Sequence, residues 1–106
     1  MIYFIQAENT KYIKIGYTQD LEKRLAILQV GCPHRLVVLA TTEGDQVDEY
    51  GLHEKLKYAR VRGEWFRMCI GVQNELSKCK THYTKLPPAL VEFNKIDKRI
   101  SLLYSL

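Results

Sequence analysis

The chain has 106 residues, enough for one hydrophobic core and little more, so a single domain is expected. An apolar content of 46% with 10% aromatic residues excludes a disordered chain, and a net charge of +4 favours a polyanionic partner. No run approaches the roughly 20 consecutive apolar residues of a membrane span, and three widely spaced cysteines (Cys32, Cys69, Cys79) are an odd number, so neither a membrane protein nor a disulfide scaffold is expected.

In chain order, Ile2 to Ala7 and Tyr12 to Tyr17 are rich in β-branched and aromatic residues and flank a polar Glu8-Asn9-Thr10-Lys11 segment, the pattern of a hairpin. A symmetric four-residue loop sets Tyr3 opposite Gly16 and Ile5 opposite Lys14, so these four share one face, with Ile2, Phe4, Ile13, Ile15 and Tyr17 on the other. A helix follows over Asp20 to Gln29, capped by Thr18 or Asp20 and stopped by Gly31 and Pro33. Arg35 to Thr42 reads as a strand, and Glu43-Gly44-Asp45 as the turn into a second helix, Asp45 to Tyr58. Gly63 breaks that pattern before a short strand, Glu64 to Met68. Val72, Leu76 and Cys79 then predict a third helix, and Pro87-Pro88 opens a fourth with the stripe Leu90, Phe93, Ile96, Ile100 and Leu103. The result is an α+β domain: a small antiparallel sheet of three strands, with room for an extra one, flanked by helices. Residues 1–69 form its core, and residues 70–106 a helical C-terminal extension packed on the same domain. Met1 to Ala7 carries no leader-like basic region, so an intracellular protein is expected, cytoplasmic if bacterial or phage-derived.

Two charges occupy positions where helices usually place leucine. Leu21, Arg24, Leu25 and Leu28 keep the i, i+3, i+4, i+7 spacing of a core-facing stripe, and Glu49, Leu52, His53 and Leu56 do the same on the second helix. Burying an unpaired charge is costly, so both call for a partner or a ligand. Cys32 with His34 and Cys79 with His82 match no zinc-ligand spacing.

The order Ile2-Tyr3-Phe4, Lys14-Ile15-Gly16-Tyr17-Thr18, Asp20-Leu21-x-x-Arg24-Leu25, Glu49-x-x-Leu52-His53 and Gly63-Glu64-Trp65-Phe66 resembles the GIY-YIG endonuclease superfamily. It looks most like the phage-type DNA-binding-domain branch, with a KIGYT-like second strand and an RGEWF-like third strand. The resemblance implies a three-stranded core that cuts a phosphodiester bond with one divalent ion, Mg2+ or Mn2+. Position by position, it implies Tyr3 as acceptor of a proton from the attacking water, Arg24 as the stabiliser of phosphate charge and Glu49 as the carboxylate that holds the metal. Met1 stands in place of the first glycine, Lys14 replaces the second-motif tyrosine, and Glu64 lies near the place of an absent late-strand asparagine. The second-tyrosine role is thereby unassigned, with Tyr17 and Glu64 as further candidates.

The residues themselves allow more than one reading. A tyrosine has a pKa of about 10, so only about one molecule in a thousand is phenolate at neutral pH. Lys14 on the same face would favour that form, and Gly16 opposite Tyr3 would leave room for a water or a phosphate. Tyr3 could equally be a packing aromatic, Arg24 a snorkelling side chain, and Glu49 a salt-bridge partner of Arg24, Lys55 or Lys57. His53, one turn after Glu49, can reach a phosphate, relay a proton, or simply cap the core edge. Lys55, Lys57, Arg60, Arg62 and Arg67 form the densest basic cluster, either a solvated helix end or a track for a phosphate backbone. The expected function is a metal-dependent DNA endonuclease. The alternative is a non-catalytic DNA-binding module on the same scaffold, and the residues do not distinguish RNA from DNA or indicate an oligomeric state.

Overall fold

The structure, a computed structural model, describes residues 1–83; the helix expected from Pro87 onward lies outside the described residues. The hairpin forms as its sequence requires, β1 (Ile2–Ala7) against β2 (Tyr12–Tyr17), with Tyr3 paired to Gly16 and Ile5 to Lys14. Helix α1 (Leu21–Gln29) starts on Asp20, whose carboxylate accepts from Lys23 N at 3.1 Å. Strand β3 (Leu36–Thr42) returns beside β1. Helix α2 (Gln46–Lys55) opens on a reciprocal capping box in which Asp45 and Asp48 each accept the other's backbone N–H at 2.9 Å.

Beyond α2 the chain departs from the expected helix to Tyr58. It tightens into a 3-10 turn over Lys57–Ala59 and then extends as β4 (Arg60–Arg62), which pairs with β5 (Trp65–Arg67) across a Gly63-Glu64 turn. Gly63 has φ +56, the left-handed backbone that a tight hairpin turn requires. Arg60 to Arg62, which the sequence left without an element, are strand, and Glu64 sits in a turn rather than inside the expected Glu64 to Met68 strand. Helix α3 (Ile70–Ser77) ends before Cys79, and β6 (Thr81–His82) adds a strand that a two-residue signature could not announce.

The described residues therefore form an α+β fold with a six-stranded sheet in the order β4-β5-β2-β1-β3-β6, each neighbouring pair antiparallel, in place of the expected three or four strands. Central β1 is covered on both faces, which is why all six of its residues are buried. Ile2, Phe4, Ile13 and Ile15 pack with Leu56, Phe66, Val72 and Leu76 beneath α2 and α3. Tyr3 and Ile5 pack with Leu21, Leu25 and Leu28 of α1. The period-2 alternation of the hairpin thus sends Tyr3 to the α1 face and Ile15 to the α2 face. Cys79 is buried beside the latter, and burial pushes its thiol up to about 11, the behaviour of a small core hydrophobe. Among the described residues no helix is long and apolar enough to cross a membrane.

Candidate functional site

The site is built on the tripeptide Lys14-Ile15-Gly16 of β2. The Ile15 N–H donates to the Glu64 carbonyl at 3.0 Å and so pins the β4–β5 turn to β2. The Ile15 carbonyl accepts from His53 Nε2 at 2.7 Å and so pins the last turns of α2 to the same residue. The His53 ring is steadied further by Phe66, with ring centroids 5.0 Å apart. The backbone N–H and C=O of one residue therefore fix a carboxylate-bearing turn from the hairpin and an imidazole from α2.

Gly16 does the next step. A Cβ there would run into both the Tyr3 hydroxyl and the Glu64 carboxylate, so the missing side chain lets these two groups meet over β2. The sequence reading left this space for a water or a phosphate; it is filled by Tyr3 and Glu64 instead. Arg24, on the exposed edge of the α1 stripe, donates from Nε to the Tyr3 hydroxyl oxygen at 3.5 Å. Glu49 faces the same region from the first turn of α2, with His53 Nε2 3.9 Å from its Oε1. Ligand atoms of Glu49, His53 and Glu64 all lie within 4.8 Å of one another, and no other group of three His, Cys, Asp or Glu among the described residues does so. Neither cysteine–histidine pair forms such a group.

Arg24 and Glu49 are each half-buried at the rim of their helices, so neither is the fully buried charge that its helical position implied. The two do not form an ion pair: the carboxylates nearest the guanidinium act on it together, with Glu64 ahead of Glu49 in raising the Arg24 pKa, behind the larger effect of the Tyr3 hydroxyl.

Burial pushes the Tyr3 hydroxyl above its ordinary value; Arg24 opposes this, while Glu64 and Glu49 reinforce it. The Lys14 ammonium lies over the Trp65 ring, 5.3 Å from the centroid. Burial also pushes the Glu49 carboxyl up, Glu64 adds to the effect, and His53, Arg24 and Lys14 counter it only in part. Negative charge in this cluster is thus under-compensated by the protein.

The remaining sequence candidates divide. The Tyr17 hydroxyl accepts from Gln19 Nε2 at 3.5 Å. Lys55 is bound to Glu75 at 2.6 Å and Lys57 approaches Glu54 at 3.9 Å, so both are engaged within the fold. Arg60, Arg62 and Arg67 are exposed on β4 and β5 with no carboxylate within salt-bridge distance among the described residues. Sequence reasoning missed the Ile15 N–H and carbonyl as the common anchor, since backbone groups carry no residue-type signal.

A family model, the T5orf172 domain, matches residues 1–83, most of the chain and all of the described fold. The chain belongs to the T5orf172 domain family. This is a phage-associated, nuclease-like family, and its match includes α3 and β6 as well as the elements that carry the site. No curated protein and no solved structure matches the chain.

Proposed function

We propose that this T5orf172 domain has a GIY-YIG-like core and is a metal-dependent endonuclease that hydrolyses phosphodiester bonds in DNA. One observation carries the reading. Two carboxylates and an imidazole, drawn from α2 and the β4–β5 turn, converge beside a guanidinium–phenol pair drawn from α1 and β1.

The donor set fits one Mg2+ or Mn2+ ion, because carboxylate oxygens suit both and an imidazole is tolerated by Mn2+. The raised Glu49 carboxyl supports the same fit, since a cation would supply the compensation that the protein withholds. Glu49 is the first ligand in this reading, with Glu64 beside it. When bound, such an ion polarises a phosphoryl oxygen and acidifies a water.

The chain's own residues account for the rest. Arg24 spends Nε on Tyr3, which leaves its terminal nitrogens to meet two phosphate oxygens and stabilise the charge that builds at five-coordinate phosphorus. Tyr3 acts as a protonated donor to the phosphate rather than as the acceptor of the water proton. His53, oriented by the Ile15 carbonyl, carries Nε2–H toward the backbone and leaves Nδ1 as its acceptor atom. Lys14 contributes positive potential next to Glu49. In the reaction the water oxygen bonds to phosphorus as its proton passes to His53 Nδ1, the ester P–O bond breaks, and the departing oxygen takes a proton from solvent.

The alternative, a non-cleaving DNA-binding module, is favoured by one feature only: a buried tyrosine pushed away from its phenolate form. Incubation of single-stranded, duplex and branched DNA with Mg2+ or Mn2+ separates the two. The endonuclease reading predicts cleavage that a chelator and Glu49→Ala each abolish while DNA retention persists. Salt-sensitive retention with intact DNA in every lane would assign the module instead.

A further inference from the structure

A second feature lies at the base of the β4–β5 hairpin, away from the acid cluster at its tip. Tyr58, Ala59, Arg60, Val61, Arg67 and Cys69 line a cleft of about 510 Å³. That volume is in the range of ligand clefts, roughly 300–1,000 Å³. Tyr58 is 70% exposed and Val61 50% exposed, an unusual pair of apolar surfaces to leave in water side by side.

Tyr58 is nevertheless not loose. Its hydroxyl receives the Cys69 thiol at 3.9 Å and seats against Gly71, where a Cβ would collide with it. The ring is anchored at its tip while most of its surface stays exposed. Arg60 and Arg67 line the same cleft, and no described carboxylate pairs with either, although Lys55, Lys57 and Lys78 each have one. An exposed aromatic ring sharing a cleft with two guanidinium groups that no described carboxylate compensates is suited to stacking a base and holding its phosphates.

We infer that this cleft binds an unpaired nucleotide of a nucleic-acid strand, with the base on Tyr58 and the adjoining phosphates on Arg60 and Arg67. A paired base has both faces covered within the duplex and cannot take the tyrosine face. An acidic peptide would satisfy the arginines but would leave the ring unused. This inference rests on the DNA-directed reading above and narrows it to DNA with a single-stranded stretch. Arg67 lies three residues after Glu64, so the cleft is about 10 Å from the acid cluster at roughly 3.3 Å per residue.

The test is fluorescence anisotropy with three labelled duplexes of one sequence: blunt, with a short single-stranded overhang, and with the same overhang made abasic. The overhang should improve affinity about tenfold, or about 1.4 kcal/mol. The abasic overhang and Tyr58→Ala should each lose that gain, and Tyr58→Phe should keep it. Arg60→Gln with Arg67→Gln should weaken overhang binding and flatten its salt dependence, a readout that does not depend on Tyr58→Ala folding. Equal binding of blunt and overhang duplexes, or an unchanged preference in Tyr58→Ala, would overturn the cleft while leaving the DNA-directed reading in place. Failure to retain any DNA would remove that reading and the cleft with it. Displacement of the overhang by polyglutamate as readily as by a single strand would overturn it in favour of an acidic protein partner.

Discussion

Two carboxylate clusters on opposite sides of α2 show how differently one residue type can be used. At the far end of the helix Glu75 is clasped by Lys55 at 2.6 Å and Lys78 at 3.4 Å, and Lys55 holds its carboxyl below the usual carboxylate range. At the near end burial and the neighbouring Glu64 push the Glu49 carboxyl above that range. The first cluster is complete within the protein and ties α2 to α3. In the second, His53, Arg24 and Lys14 offset the shift only in part, and in the proposed reading a cation would supply the rest.

The comparison breaks most visibly at Gly16. Gly16→Ala forces a Cβ between the Tyr3 hydroxyl and Glu64, and the buried Tyr3 ring has nowhere to go. Overpacking of this kind costs about 1–3 kcal/mol, and displacement of the reacting groups by about 1 Å can cost about 100-fold in rate. Thermal melts should show destabilisation and cleavage assays a loss of that order; a variant with wild-type melting and cleavage would mean that the Tyr3–Glu64 contact is dispensable.

Removing the charge from each cluster should move stability in opposite directions. Glu75→Gln gives up two lysine contacts and is expected to lower stability by about 0.5–1 kcal/mol, the value of a partly exposed pair. Glu49→Gln removes a carboxylate that the fold disfavours and should raise the melting temperature at neutral pH while abolishing cleavage. Melts of both variants beside the wild type check this, and a fall in both would contradict the contrast.

The smallest effect is in pH. Because the Glu75 value is lowered in the folded state, its contribution is present above the unfolded value of about 4.3 and disappears as pH falls through the folded value. The raised Glu49 value has the opposite sign: its penalty is absent at acid pH and grows as pH rises from the unfolded value through the folded one. The melting temperature of Glu49→Gln should therefore gain on the wild type as pH rises from acid to neutral, and that of Glu75→Gln should fall behind.

Much of the fold was legible in the sequence, for reasons visible in particular residues. The hairpin and its register followed from alternation in Ile2 to Ala7 and Tyr12 to Tyr17, because a buried face tolerates no slip. Asp20 and Asp45 announced their helices by capping chemistry. What was not legible depended on short or distant pairing. Arg60 to Arg62 carried no assignment because nothing local marks a three-residue edge strand, and Thr81–His82 becomes strand only through its pairing with β3. At the site, Arg24, Glu49 and His53 stood out as polar residues on apolar stripes and Tyr3 through the motif resemblance, and their convergence with Glu64 is a property of the tertiary fold. Lys55 looked free for DNA because Glu75 lies far along the chain.

Mn2+ titration monitored by electron paramagnetic resonance tests the central claim most directly, since it reads the cation site without requiring turnover. One ion should bind the wild-type protein, with binding lost in Glu49→Gln, weakened in Glu64→Gln and unchanged in Glu75→Gln. Absence of binding to the wild type, or equal binding in all four proteins, would show that the under-compensated carboxylates beside Ile15 do not hold a metal.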